Sequence, residues 1–172
     1  MIPIIIPDMR VISLSNFKTN AMRVLDREKI SYNTYSYDHS DGLIDGISVA
    51  NKLGQPLEKV FKTLVTVGAS REYYVFVIPV SCELSLKAAA RSVDEKSVEM
   101  IKVSDINKVT GYIRGGCSPI GMKKDYTIVI DSSCLGLDKM IISAGKIGHQ
   151  IELSPDDLLD LIHGKAESII EK

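Results

Sequence analysis

Two apolar, β-branched runs on either side of a short polar turn constrain this chain more than any other feature. VFKTLVTV (60–67) is followed by GASRE (68–72) and then by YYVFVIPV (73–80). Runs of this length, rich in Val, Ile, Phe and Tyr and bounded by turn residues, read as strands. Two of them across so short a turn read as a β-hairpin. The second run has almost no polar position, so it is expected to be buried on both faces. A polar residue inside the first run therefore stands out. Lys62 lies between Phe61 and Leu64, where an ammonium must either reach water along its own stem or meet a partner. Its functional alternative is a clamp for an anion or a carbonyl.

The other elements follow from local pattern. NFKTNAMRVLDREK (16–29) sets Ala21, Met22 and Leu25 at helical spacing with Asn16 as a candidate cap, and ISYNTYSYD (30–38) alternates like a half-exposed strand. The polar HSDGLIDG leads into a short helix, ISVANKLG, that Gly54 stops. A helix is expected from about Ser85, then a short strand VEMIKV, then a helical turn capped by Ser104. YTIVIDSS reads as a strand ending at Asp131, KMIISAGKIG as another, and HQIEL as a third. The chain closes in helix, with Ser154 as cap, Pro155 in first position, and Asp156 and Asp157 in the first turn. At 172 residues a single core is expected, with residues 1–15 as an extension and 16–172 as one domain.

TGYIRGGCSPIGMKK (110–124) is the stretch least explicable as packing. Its glycines free the main chain for close approach, and Tyr112, Arg114, Ser118, Lys123 and Lys124 can meet an anion or a sugar hydroxyl. Read blandly, it is a long connection between strands. The chain has neither GxxxxGK[ST] nor a dinucleotide fingerprint, which disfavours a conventional nucleotide-binding enzyme. His39, His149 and His163 are scattered, so no zinc set is read, and GxSxG is absent. Cys117 has no motif that promises a lowered pKa and is expected to be a small loop residue.

A net charge of −1 argues against broad attachment to nucleic acid, leaving only a local basic strip. The three cysteines form no paired pattern, which fits a reducing cytoplasm. No apolar run approaches bilayer length, and the start of the chain lacks the pattern of a signal peptide. We therefore expect a cytoplasmic protein without membrane or DNA partners.

YDH at Tyr37 to His39, VFKTL at Val60 to Leu64, TGYIRGGCSPIG at Thr110 to Gly121 and ISAGKIG at Ile142 to Gly148, in this order and spacing, resemble the YbaK/EbsC family. The likeness runs from about Thr19 to the end. It implies an α/β (α+β) fold, with a mixed, barrel-like β-sheet flanked by helices, as in the editing domain of bacterial prolyl-tRNA synthetases. It also implies a freestanding aminoacyl-tRNA deacylase, closest to the YbaK branch, which clears cysteine from proline tRNA. The resemblance makes Lys62 the essential residue. It makes Tyr37, Thr63, Gly115, Gly116, Ser118, Ser143 and Gly145 substrate-binding, with no cofactor and no metal. The partners it implies are the aminoacyl end of proline tRNA and prolyl-tRNA synthetase. Catalysis would lean on the substrate itself: either the cysteine thiol attacks its own ester, or a positioned water does. Two departures stand out. The loop before the second helix, Leu43-Ile44-Asp45-Gly46, is one residue shorter than in relatives, and Ser143-Ala144-Gly145-Lys146-Ile147-Gly148 lacks a glycine and an arginine. Ala-tRNA(Pro) or another mischarged tRNA as substrate, or a noncatalytic module that binds a nucleotide or the tRNA end, remain open alternatives.

Overall fold

The computed structural model describes residues 17–172; the proposed extension 1–15 and the candidate cap Asn16 lie outside the described residues. Among them the two apolar runs form the expected hairpin. β2 (Phe61–Gly68) pairs antiparallel with β3 (Tyr73–Pro79), Lys62 opposite Ile78 and Thr63 opposite Val77. Before them come α1 (Asn20–Arg27), β1 (Asn33–Ser36) and α2 (Gly46–Leu53). After them come α3 (Leu86–Ser92), β4 (Val98–Met100), α4 (Ile106–Thr110), β5 (Thr127–Asp131), β6 (Met140–Ser143), β7 (His149–Leu153), α5 (Pro155–Ile162) and β8 (Lys165–Glu167).

The strands form two sheets: a three-stranded one in the order β1-β7-β6 and a five-stranded one in the order β4-β2-β3-β5-β8. The larger sheet is mixed, since β3, β5 and β8 run parallel while β4, β2 and β3 alternate. The expected mixed sheet with flanking helices is present. Among the described residues the sheet does not close into a barrel: a single Val60–Ile141 bridge joins the two sheets. β3 is buried from Val75 to Pro79, because one face meets α1, α5 and the small sheet while the other meets α3. Phe61, Val75, Val77, Ile128, Ile130, Met140, Ile142, Ile151 and Leu153 share the first core with Ala21, Met22, Leu25 and Leu158. Phe76, Ile78 and Val129 share the second with Ala89, Ala90 and Ile169. Each large side chain so buried contributes about 1.5–3 kcal/mol.

Local pattern misplaced several details. Thr19 caps α1, its hydroxyl accepting from Met22 N–H at 3.1 Å. Ser104 caps nothing; it sits inside a 3₁₀ turn, Val103–Asp105, that runs directly into α4. Residues 165–167, expected to be helical, form β8 alongside β5. β5 does end at Asp131 as expected, and the buried carboxylate there accepts from Ser133 N–H at 3.1 Å and Ile169 N–H at 3.0 Å, pinning the C-terminal segment. Ser85, Gly54, Ser154 and Pro155 hold the positions expected of them.

Candidate functional site

A cavity of about 770 Å³ opens where the two sheets part. Its floor is Val60 with the start of β2, Phe61 to Leu64, and one wall is the end of β6 with Ile142 and Ser143. The segment from Gly42 to Ile47, leading into α2, and the tip of the glycine-rich loop, Arg114 and Gly115, close it from above. The structure thus brings Lys62, Thr63, Tyr37, Gly115 and Ser143 together from four distant parts of the sequence.

Lys62 is half-buried at the cavity wall, and among the described residues no hydrogen bond or ion pair occupies its ammonium. An amine held by a strand beside an open cavity, with no internal partner, is available to a ligand. Arg114 adds a second cation, and Asp45 and Glu83 add carboxylates on the same lining. Asp45 caps α2; the Ser48 hydroxyl and N–H hold its carboxyl below the usual carboxylate range, so it stays ionised. The cavity therefore offers both signs of charge.

Three of the expected binding residues do not line this cavity; they pack behind it. Ser118 is fully buried, and its hydroxyl accepts from Ile120 N–H at 3.3 Å. Gly116 lies against the 146–147 main chain, where a Cβ would come within 3.0 Å of the Ile147 nitrogen. Gly145 faces the Tyr112 ring. Tyr112 itself, expected to meet a ligand, is buried and donates to the Ile120 carbonyl at 2.5 Å while accepting from Asn20 Nδ2 at 3.3 Å. Lys123 donates to the Lys108 carbonyl and lies outside the cavity, as does Lys124. The glycine-rich loop is thus a folded unit with Tyr112 as its centre, and only Arg114, Gly115 and Cys117 of it face the cavity.

Cys117 is on the lining, but burial pushes its thiol up to about 11, leaving it protonated at neutral pH and a poor nucleophile. His149, at the cavity edge, stacks on Phe17 with centroids 4.3 Å apart, and Lys146 sits 5.4 Å from the Phe17 ring centre. Burial, reinforced by Lys146 and His39, lowers the pKa of His149, so the imidazole is neutral at physiological pH. Among the described residues no group of three His, Cys, Asp or Glu side chains is placed to hold a metal ion, and no helix is long and apolar enough to cross a membrane.

Sequence reasoning passed over Asp45, Glu83 and Gln150. Only Asp45 left a local signal, an acidic residue three positions before Ser48 at the start of a helix. Lys52 was also missed. From the last turn of α2 its ammonium donates to the Asp38 carbonyl at 2.8 Å, the Asp41 carboxylate at 2.8 Å and the Leu43 carbonyl at 3.0 Å. It fastens the loop that carries the cavity's upper wall. Lys52→Met should loosen that wall and raise KM for the substrate about tenfold while moving the melting temperature little. Steady-state kinetics and a thermal melt on the same sample check this, and Lys52→Arg should recover part of the loss.

The aminoacyl-tRNA editing domain model matches residues 47–161. A protein of Enterococcus faecalis named "Putative Cys-tRNA(Pro)/Cys-tRNA(Cys) deacylase EbsC" is 44% identical over 155 residues, which span 90% of this chain and 94% of the relative. Among solved structures, a hypothetical protein superposes with a TM-score of 0.81 at 18% identity, over 89% of this chain and all of the other. The protein described as "a putative trans-editing enzyme for prolyl tRNA synthetase" gives 0.76 at 21% identity, over 91% of this chain and all of the other. These two likenesses establish the fold.

Proposed function

The chain belongs to the aminoacyl-tRNA editing domain family, and from that membership we propose that it is a freestanding aminoacyl-tRNA deacylase that removes cysteine from Cys-tRNA(Pro). The observation that carries this reading is Lys62, whose ammonium has no partner among the described residues, on the lining of a cavity that also holds Arg114, Asp45 and Glu83. The aminoacylated end of a tRNA carries phosphate anions and an α-ammonium within a short span, and a wall with both signs of charge complements it. Lys62 would hold a phosphate or the ester carbonyl of the terminal adenosine. Tyr37 and Ser143 would orient ribose hydroxyls or the amine, and Gly115 would let the substrate approach the main chain.

No side chain on the lining is an activated nucleophile, and the protonated Cys117 thiol does not serve as one. The attacking group would come from the substrate or from water. In the first route the cysteine sulfur bonds to its own carbonyl carbon, the ester C–O bond breaks, and the thiol proton ends on the ribose oxygen, releasing a thiolactone. In the second a water oxygen makes the same attack and its proton goes to the ribose oxygen, releasing cysteine. Both gain from holding the reacting atoms at contact distance. A chain of net charge −1 has little general attraction for nucleic acid, so we assign selection of the tRNA body to a complex with prolyl-tRNA synthetase, in the cytoplasm.

The test is a panel of Cys-tRNA(Pro), Cys-tRNA(Cys), Ala-tRNA(Pro) and Pro-tRNA(Pro), each with and without prolyl-tRNA synthetase, followed by loss of the acyl label. Loss of cysteine alone, with Pro-tRNA(Pro) spared, is the expected result. Preference for alanine would assign a different substrate, and no turnover of any member would overturn the enzymatic reading.

A further inference from the structure

Antiparallel ladders alternate, and this alternation fixes which main-chain groups of β2 face the cavity. Val80 N–H donates to the Val60 carbonyl at 2.8 Å and Gly68 N–H to the Glu72 carbonyl at 2.8 Å. With those two pairs fixed, Lys62, Leu64 and Thr66 turn their N–H and carbonyl groups toward β3. The odd-numbered residues turn theirs to the opposite edge. That edge is occupied at both ends. Toward the end of β2 it meets β4, whose pairing covers Thr66 to Gly68, and the Ile101 N–H reaches the Val65 carbonyl at 3.2 Å. At its start it meets β6 through the Val60–Ile141 bridge. Between the two, β6 leaves β2, and among the described residues no strand pairs with Thr63 on that side. The cavity occupies this fork, with Phe61 to Leu64 on one prong and Ile142 and Ser143 on the other.

A strand residue with both main-chain groups open on one edge has a specific complement. In a closed antiparallel pair, two residues exchange both N–H···O bonds. An aminoacyl ester contains the same N–Cα–C=O unit as a residue in a strand, with an α-ammonium for the N–H and an ester carbonyl for the amide carbonyl. We propose that the open edge at Thr63 is a main-chain subsite for the aminoacyl group. Its N–H donates to the ester carbonyl oxygen and its carbonyl accepts from the α-ammonium, as if the substrate were a one-residue strand added to β2. This rests on the editing reading above and deepens it. The subsite reads the α-amino acid unit and is blind to the side chain, so discrimination between amino acids falls to the side chains around it, Ile44 and Tyr37 among them. It also places the ester carbonyl at a donor held rigid by β3, one residue from Lys62, where charge develops as the ester is attacked.

Two stable probes test this on the full-length protein: 3′-(cysteinylamino)-3′-deoxyadenosine, whose amide link resists deacylation, and its des-amino counterpart carrying 3-mercaptopropionyl. Amide hydrogen exchange is followed by NMR with each. In the free protein the Thr63 amide should exchange at least about tenfold faster than those of Lys62 and Leu64, which face β3. The cysteinyl probe should slow Thr63 exchange by about tenfold or more, and the des-amino probe should bind at least about tenfold more weakly. The proposal is overturned if the cysteinyl probe binds an active protein without protecting Thr63, if the two probes bind alike, or if the cysteinyl probe fails to bind a protein that deacylates Cys-tRNA(Pro). In those cases the editing reading stands. A protein that turns over no aminoacyl-tRNA and binds neither probe would remove both.

Discussion

Lys62→Ala is expected to lower the deacylation rate of Cys-tRNA(Pro) by about a hundredfold to a thousandfold, the range seen when a preorganised electrostatic donor is removed from an acyl-transfer site. The fold should not suffer to a comparable degree. Among the described residues the ammonium takes part in no ion pair or hydrogen bond, and the residue is half-buried at the cavity wall with its main chain paired to Ile78. Removing it breaks no internal contact of charge and leaves no buried partner unsatisfied. A melting temperature near that of the wild type, combined with a collapse of kcat/KM, is the signature of a side chain kept for the substrate. Lys62→Arg keeps the charge but spreads it over a planar fork, and should recover only part of the rate. If Lys62→Ala deacylates at the wild-type rate, the role assigned to this residue is wrong and the cavity works through its main chain and Arg114 alone.

Lys62 was legible because it violates a pattern. A charged residue in the middle of a β-branched run has no place in a packed hairpin, and the eye stops there. The hairpin was legible for the same kind of reason, since its two runs and the turn between them are all local. What local pattern could not supply is the fork between the sheets. The pairing of β1 with β7 joins Asn33–Ser36 to His149–Glu152, and nothing in either segment names the other. Gln150 reaches the cavity through that pairing and Glu83 from the segment after β3, neither with any sequence signal. Residues 165–167 show a second limit. Their composition fits a helix, yet they pair in parallel with β5 at the edge of the larger sheet, where tertiary contact overrides propensity. The glycine-rich loop shows a third. Its polar side chains suggested a binding surface, but a tyrosine can equally serve as the core of a loop when its hydroxyl finds main-chain carbonyls, as Tyr112 does with Ile120 and Gly121. Composition does not distinguish the two uses.

That buried tyrosine makes Gly145→Ala the substitution expected to cost the most stability. Gly145 has φ of +92°, a conformation that an L side chain adopts only at a cost of about 1–3 kcal/mol. Space is the second obstacle. A Cβ built there would lie 2.7 Å from Tyr112 Cε1, and the ring cannot swing away without giving up the bond to the Ile120 carbonyl and the contact with Asn20. Overpacking against a fixed ring adds about 1–3 kcal/mol. Together these predict a loss of roughly 2–6 kcal/mol, or a fall in melting temperature on the order of 10 °C for a chain of this size. Gly115→Ala provides the contrast. Its φ of +85° carries a similar strain, but the added Cβ would meet the end of the flexible Ile44 side chain, 2.6 Å from Cδ1. Ile44 can turn aside, and since it lines the cavity, the displacement should appear as altered substrate selection, with a smaller fall in melting temperature than Gly145→Ala. Thermal melts of both variants beside the deacylation panel separate the two roles. Should Gly145→Ala melt with the wild type, Tyr112 would not be the fixed centre of the loop, and the case for that loop as a rigid wall of the cavity would fail with it.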